Sequence, residues 1–204
     1  MDRNLLYICG MLIPFIYIFM YLLGGALRPR YNHVSDSVSE LLTPGAPNKP
    51  LLFVIQIIYA LLYVLFGFGV FLFIQSSPED ALIGRIGAWL IIAIGLVTIG
   101  TAIFPQDATG TPVTVPGQAH KILVFGGLIP LSILSTLLVG LWSRQAEMFP
   151  GFDIYSFITV GAIVIMGVVG GATVETQYAG IVERIAAFVT QQWFFVLALI
   201  LILH

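Results

Sequence analysis

One short polar segment, YNHVSDSVSELL at residues 31–42, interrupts a chain that is otherwise strongly apolar. It holds His33, Asp36, Ser39 and Glu40, along with further serines. An imidazole can act as a general acid, a general base or a metal ligand, and a carboxylate can orient it. A serine hydroxyl beside such a base can act as a nucleophile. The segment therefore carries the groups needed for nucleophilic or metal-assisted chemistry.

A second polar group follows the third apolar run, in AIFPQDATGTPVTVPGQAH at residues 102–120. Pro105 ends that run, Asp107 follows it at the membrane surface, and His120 opens the next run. Ionisable groups near a membrane are costly, so they usually face the protein interior and have a partner. We therefore expect Asp107 and His120 to meet across this short connection.

These residues allow a metal site with His33, Asp36, Asp107 and His120 as ligands. Imidazole and carboxylate ligands suit zinc or a harder divalent ion, so a divalent metal such as zinc is the cofactor of this hypothesis. Two histidines are few for such a site, and the H-x-x-D spacing is common by chance.

The same groups also allow a hydrolase or acyl-transfer site without a metal. Ser35, Ser37 or Ser39 would attack, His120 would be the base, and Asp107 or Asp36 would orient it. No G-x-S-x-G nucleophile motif is present. A third interpretation is a polar network that fastens the connection to the bundle, with each group satisfied by another.

Two charged residues, Glu183 and Arg184, open the last apolar run in GIVERIAAF at residues 180–188. Arg184 is predicted to pair with an acidic group or to contact a lipid phosphate, which makes Arg184 and Glu183 candidates for substrate binding. The alternative is an interfacial arginine whose charged end reaches the membrane surface.

The elements that must position these groups are membrane-spanning helices. The chain has 204 residues, of which 59% are hydrophobic and only 9% charged, and its mean hydropathy is +1.03. A soluble domain would have nearer a quarter of its residues charged. Continuous apolar runs of about 20 residues favour helices over barrel strands. Six runs are found, at Leu5–Leu27, Leu51–Ile74, Ile83–Phe104, Ala119–Trp142, Ile154–Val174 and Ile185–Leu203.

The sequence thus predicts an all-α integral membrane bundle of six transmembrane helices, with residues 1–204 as a single domain. The first run has too long an apolar core for a signal peptide, so we expect a retained first helix. The single cysteine, Cys9, excludes an intrachain disulfide, and the net charge of −2 gives no sign of nucleic-acid binding.

Each run crosses the membrane, so successive connections lie at alternate membrane surfaces, which we call the motif face and the terminal face. The motif face carries residues 28–50, 105–118 and 175–184, and the terminal face carries both termini and the other two connections. The motif face collects the candidate site residues of three connections. Lys and Arg near the ends of the runs favour a cytoplasmic motif face, but some of these cations can be site partners, so the orientation stays open.

The first connection is expected to contain a short interfacial helix from about Ser37 to Thr43. Ser37-Val38-Ser39-Glu40 fits the capping-box pattern, and Pro44-Gly45 stops a helix. Elsewhere, Gly167-x-x-x-Gly171 permits close helix approach, either inside the bundle or in a homo-oligomer.

The segments YNHVSDSVSELLTPGAPNKPLLF, IFPQD with the later GQAHKILVFGG, and GIVERI resemble the bacterial and archaeal membrane family called domain of unknown function 998. The resemblance covers nearly the whole chain and implies a multi-spanning protein of a prokaryotic plasma membrane. More distantly, the first connection and His120 at the start of the fourth run are similar to the corresponding parts of the DRAM and Sfk group of membrane proteins. That similarity implies lipid-related work at the non-cytoplasmic face, with Ser39, Asp107 and His120 in matching places.

These observations favour an enzyme that acts on a lipid or lipid-linked substrate by hydrolysis or acyl transfer. His33, Asp36 and Glu40 would form a lid over the site, and membrane lipids would be the partners. The alternatives are a small-molecule or proton-coupled transporter and a structural subunit of a membrane complex. A transporter should carry charges deep within its spans, whereas here the charges collect at one surface.

Overall fold

The computed structural model describes residues 3–76 and 81–204, and the regular structure in these ranges is helical. A 3-10 helix (Ser39–Leu42) lies in the first connection, and a π-helical segment (Ile122–Leu128) joins α4 to α5. Residues 77–80 of the second connection lie outside the described ranges. The helices are α1 (Arg3–Leu27), α2 (Lys49–Gln75), α3 (Leu82–Ile103), α4 (Val115–Lys121), α5 (Ile129–Gln145), α6 (Phe152–Thr173) and α7 (Ala179–Leu203).

Within residues 3–76 and 81–204, six helical stretches are long and apolar enough to cross a membrane, and they coincide with the six predicted runs. The fourth is the continuous stretch Val115–Gln145, which combines α4, the π-helical segment and α5. The prediction of an all-α, multi-pass membrane protein is confirmed. Each helical stretch begins one to six residues before its predicted run, because capping and polar residues at the start of a helix also adopt helical geometry.

The six spanning stretches form a closed ring. Each packs against its neighbours in sequence, and α7 returns to pack against α1. On the motif face, the backbone N–H of Ile181 in α7 donates to the carbonyl of Val34 at 2.9 Å. On the terminal face, Arg3 donates to the Ser76 hydroxyl at 3.1 Å. The ring therefore brings the first, third and fifth connections to one surface, as the alternation of the runs predicts.

Polar side chains inside the bundle are paired between helices. Gln191 of α7 donates to the Tyr59 hydroxyl of α2 at 2.9 Å, and that hydroxyl lies 3.1 Å from the Tyr63 hydroxyl. Gln56 of α2 donates to the Thr101 hydroxyl of α3 at 3.4 Å. An unpaired polar group would be costly in hydrocarbon, so these pairs fix the rotation of α2, α3 and α7 about their axes.

Close helix approach occurs between α2 and α3. A Cβ on Gly95 would lie 2.7 Å from the carbonyl oxygen of Ala60, and a Cβ on Gly67 would lie 2.8 Å from the backbone nitrogen of Ile92. By contrast, a Cβ on Gly167 would meet its nearest neighbour at an ordinary 3.4 Å. The G-x-x-x-G pattern of α6 is therefore not what brings helices together within the chain.

The fourth span widens into π-helical geometry just after His120. Pro130 has no N–H, and its ring would clash with the carbonyl of the residue four positions earlier, Gly126, in a regular α-helix. The wider turn at Ile122–Leu128 relieves that clash. The short α4 that carries His120 is thus set off from α5.

We predict that Gly95→Ala lowers the free energy of unfolding by about 1–3 kcal/mol, because the added methyl group must push two backbones apart. Gly161→Ala in α6 is the matched control, since no heavy atom lies within 4 Å of the added Cβ. Unfolding by SDS titration of the detergent-purified protein measures both. Equal stability of the two variants would contradict the close approach of α2 and α3.

Candidate functional site

His120 lies in α4 and is buried, with 7% of its surface exposed. Its Nδ1 lies 2.9 Å from the carbonyl oxygen of Phe104 and 3.3 Å from that of Thr101. Carbonyl oxygens only accept hydrogen bonds, so these partners place the ring proton on Nδ1. Nε2 then carries the lone pair and lies 3.3 Å from the hydroxyl oxygen of Ser39. His120 is therefore held in the tautomer that can accept the proton of Ser39.

The end of α3 explains why these carbonyls are available. The last carbonyls of an α-helix have no partner within the helix. Pro105 has no N–H with which to bond the carbonyl of Thr101 four residues earlier. His120 supplies the donor instead. The proline that ends the third span thus also sets the orientation of the histidine.

Ser39 stands between two hydrogen-bond acceptors. Its hydroxyl oxygen lies 3.3 Å from His120 Nε2 and 3.4 Å from Glu183 Oε1. The other carboxylate oxygen of Glu183 accepts from the backbone N–H of Val38 at 2.6 Å. A hydroxyl has one proton, so it can be donated to the carboxylate or to the imidazole. Three elements that are distant in sequence, namely the first connection, α4 and α7, therefore converge on Ser39.

Arg184 fastens the first connection to α7. Nη1 donates to the carbonyl oxygens of His33 at 2.7 Å and Asp36 at 3.1 Å, and to that of Gly180 in its own helix at 2.7 Å. Nη2 donates to the Tyr31 hydroxyl at 2.6 Å and to His33 Nδ1 at 3.2 Å. These partners are all neutral, so no acidic counter-charge is hydrogen-bonded to this guanidinium within the described ranges.

Gly180 allows the first connection to approach α7. A Cβ at this position would lie 2.4 Å from the carbonyl oxygen of Asp36, which is a backbone atom held by Arg184. Any larger residue must displace the connection, and with it Val38 and Ser39.

The carboxylate of Asp36 turns back onto its own connection. It accepts from the backbone N–H of Asn32 at 3.0 Å and from the hydroxyl of Ser35 at 2.7 Å. It is therefore a local turn-stabilising group, and these bonds do not join it to His120 or Ser39.

Glu40 is buried and links the first connection to the third. The Thr109 hydroxyl donates to its carboxylate, and the Arg28 side chain donates to its carbonyl oxygen. The Ser37 hydroxyl oxygen accepts from the N–H of Glu40 at 3.2 Å and from the amide of Gln106 at 3.2 Å. The predicted capping box is thus half formed, because the carboxylate bonds to Thr109. The predicted short helix is present as the 3-10 helix, packed against the bundle by buried leucines.

Asp107 has a different partner from the one expected. Its carboxylate accepts from the backbone N–H of Thr114 at 2.9 Å and from the Thr114 hydroxyl at 2.6 Å, whereas the ring nitrogens of His120 bond to carbonyls and to Ser39. The bonds from Thr114 lower the pKa of Asp107 below its ordinary value of 3.8. Thr114 also caps α4 by accepting from the N–H of Gly117 at 3.2 Å. Asp107 thus stabilises the start of the helix that carries His120.

The four proposed metal ligands are not brought together. In residues 3–76 and 81–204, no group of three His, Cys, Asp or Glu side chains is placed to hold a metal ion. His33 Nδ1 accepts from Arg184, and Asp107 is engaged by Thr114. The geometry therefore does not fit the zinc hypothesis.

Several contacts of the site could not be predicted from the sequence, including the one that Glu183 makes. The carbonyls of Thr101 and Phe104 orient His120, Glu183 contacts Ser39, and Tyr31 receives Arg184. Pro105 was the one available signal, because a proline four positions after a helical residue leaves that residue's carbonyl unpaired. Nothing in residue type or spacing distinguishes the other contacts.

The chain matches the family described as "Protein of unknown function (DUF998)" over residues 11–200 and belongs to that family. A comparison of the chain with curated proteins found no match, and a comparison with solved structures also found none. The more distant similarity to the DRAM and Sfk group stays a prediction.

We predict that Gly180→Ala lowers the free energy of unfolding by about 1–3 kcal/mol and exposes the first connection, because its Cβ displaces a backbone carbonyl. Gly170→Ala in α6 is the control, since open space surrounds the added Cβ. SDS unfolding gives the stability, and amide hydrogen exchange of residues 31–42 gives the exposure. Unchanged protection of that segment in Gly180→Ala would refute the proposed fit.

We also predict that the first connection loosens in acid. Burial and the charge of Arg184 lower the pKa of His33 below its ordinary 6.5, against a raising effect of Asp36. Because the unfolded histidine binds its proton more tightly, the stabilising contribution is complete above about pH 6.5 and decreases as the pH falls below it. Protonation of His33 also converts Nδ1 from a hydrogen-bond acceptor for Arg184 Nη2 into a donor that faces this guanidinium.

Hydrogen exchange of residues 31–42, corrected for the intrinsic pH dependence, tests this between about pH 8 and about pH 5. His33→Gln is the control because a glutamine does not titrate in this range. We expect protection to fall with pH more steeply in the wild type than in the variant. Parallel curves would show that His33 has no part in the effect.

Proposed function

We propose that this member of the DUF998 family is a membrane-embedded enzyme of a prokaryotic plasma membrane that hydrolyses or transfers an acyl group of a lipid or lipid-linked substrate. The observation that carries the proposal is the pairing of Ser39 with His120. The imidazole Nε2 lies 3.3 Å from the hydroxyl oxygen, and Nδ1 is occupied by backbone carbonyls. This is the relation of a nucleophile to its general base.

In the proposed reaction, the Ser39 oxygen attacks the acyl carbonyl carbon while its proton passes to His120 Nε2. The tetrahedral intermediate then expels the alcohol, which takes that proton, and leaves an acyl group on Ser39. Water or a second alcohol attacks this ester with His120 again acting as base. The outcome is hydrolysis with water and acyl transfer with an alcohol.

The position of the pair supports a substrate from the membrane. Ser39 is only partly buried, and it lies at the motif face where α3, α4 and α7 begin or end. An acyl ester at the boundary between headgroups and hydrocarbon would lie at this level. The charged residues of the site also lie at this surface, which favours chemistry there over a transport path through the bundle.

A structural role is the alternative with direct support, because the same hydrogen bonds fasten two connections to the bundle. Loss of such a network lowers stability, whereas loss of a catalytic pair removes reactivity from a folded protein. Reactivity and stability must therefore be measured on the same variants.

The first test is labelling of the purified protein with a fluorophosphonate, a reagent that reacts with activated serines. We expect phosphonylation of Ser39, located by mass spectrometry of the digested protein, and none in Ser39→Ala. His120→Gln should slow labelling by about 100-fold or more, since that is the usual contribution of a general base. Ser35→Ala is the matched control, because its hydroxyl donates to the neighbouring Asp36 and not to His120.

Incubation with a polar lipid extract, followed by mass spectrometry of released fatty acids and lysolipids, then identifies the acyl donor. Thermal unfolding in detergent confirms that each variant is folded. An unlabelled Ser39 in the wild type, or equal labelling in folded His120→Gln, would reject the enzyme. A lowered melting temperature in Ser39→Ala with no turnover by the wild type would instead support the structural role.

A further inference from the structure

A half-open groove of about 310 Å³ lies between α1 and α7, on the motif-face half of the bundle. Its polar lining comes from Tyr17 and Tyr21 of α1 and from Arg184 and Gln191 of α7. Ile185 and Phe188 line it with apolar surface, and both are also exposed on the outside of the bundle. The volume is at the lower end of the range for small-molecule sites. The groove can thus receive a polar group and the first part of a chain, but not a whole lipid.

The cation in this groove has no anionic hydrogen-bond partner in the described part of the chain. Arg184 is 8% exposed, its Nη atoms bond to neutral groups, and its Nε is buried without a partner. Glu183 precedes it but directs its carboxylate to Val38 and Ser39. A buried charge is costly unless an opposite charge compensates it. The hydrogen bonds of this guanidinium thus go to neutral groups, and Glu183 compensates its charge only at longer range, which leaves a positive charge in the groove for an anion.

The two tyrosines add hydrogen-bond donors beside this charge. The Tyr21 ring lies 5.0 Å from the guanidinium carbon of Arg184. The hydroxyls of Tyr17 and Tyr21 make no hydrogen bond with residues 3–76 or 81–204. A phenol can donate to an acidic oxygen, and charge-assisted bonds of this kind are among the strong ones.

The depth of Arg184 matches the level of lipid headgroups. The 25 residues of α7 span about 37 Å at about 1.5 Å per residue, which exceeds the roughly 30 Å of the hydrocarbon core. Arg184 lies five residues after the start of the helix at Ala179, so it lies near the boundary of that core. Ile185 and Phe188 continue from it toward the hydrocarbon.

We propose that this groove binds a phospholipid with an anionic headgroup. The phosphate lies over the Arg184 guanidinium and accepts hydrogen bonds from Tyr17 and Tyr21. One acyl chain runs along Ile185 and Phe188 into the hydrocarbon. The site is distinct from the Ser39–His120 pair and stands whether or not Ser39 reacts.

Native mass spectrometry of the detergent-purified protein tests the proposal by titration with dioleoyl phosphatidylglycerol or dioleoyl phosphatidylcholine. These lipids share their chains and differ in net headgroup charge. We expect one phosphatidylglycerol per chain, bound about tenfold more tightly than phosphatidylcholine, because the choline cation of phosphatidylcholine offsets the phosphate charge beside Arg184. Equal binding of the two lipids would overturn the proposal.

Variants locate the bound lipid without disturbing the contacts of Arg184. Ile185→Trp fills the groove, and Tyr17→Phe removes one donor while keeping the ring. Each should weaken phosphatidylglycerol binding, by about tenfold for the tryptophan. Ile165→Trp on the exposed side of α6 is the matched control and should bind as the wild type does. Unchanged binding in folded Ile185→Trp would place the lipid elsewhere and overturn the proposal.

Inorganic phosphate serves as the competitor that lacks a chain. We expect no displacement of phosphatidylglycerol by an equal concentration of phosphate, and efficient displacement would instead assign the site to a free anion. Native mass spectrometry measures lipid binding and does not require turnover. Fluorophosphonate labelling measures the reactivity of Ser39 and does not require a bound lipid. A failure of the groove proposal is thus distinguishable from a failure of the enzyme proposal.

Discussion

The motif face depends on the buried charge of Arg184. A guanidinium can only donate hydrogen bonds, and this one is buried, so the protein must supply the acceptors. The first connection meets that demand by turning the carbonyls of His33 and Asp36 toward α7. Once these carbonyls are fixed, the backbone at Val38 is placed against Glu183 and the Ser39 hydroxyl against His120. The position of Ser39, the candidate nucleophile, thus follows from the hydrogen bonds that the Arg184 guanidinium requires.

The missing backbone N–H of Pro105 has a comparable effect on His120, the candidate general base. Pro105 leaves the Thr101 carbonyl without its helical partner, and the His120 ring fills that position. Asp107 contributes indirectly, because its bonds to Thr114 stabilise the cap of α4. The widened segment that follows separates this short helix from the rest of the fourth span. Two prolines, Pro105 and Pro130, therefore govern the surroundings of His120.

The spans could be predicted from the sequence because continuous apolar runs leave the backbone little alternative to helix. Their alternation also predicted correctly that three connections share one surface. Pairings within that surface could not be predicted, because they depend on competition among nearby donors and acceptors. Asp107 had been matched with His120 by chemical type, but the hydroxyl and N–H of Thr114 are its partners. Arg184 had been assigned an acidic group or a lipid phosphate as its partner, whereas in the fold its hydrogen bonds go to backbone carbonyls, the Tyr31 hydroxyl and His33 Nδ1.

The orientation of His120 by carbonyls has consequences for its strength as a base. In a Ser-His-Asp triad, the carboxylate stabilises the imidazolium that forms during attack. Here that position is taken by the C-terminal end of α3, where unpaired carbonyls give about half a negative charge. Glu183 adds a carboxylate whose Oε1 lies 3.4 Å from the Ser39 hydroxyl oxygen. The helix end therefore stabilises the proton on His120 after transfer, while Glu183 competes for the same proton before attack. An acyl substrate that draws the hydroxyl away from Glu183 would therefore complete the dyad.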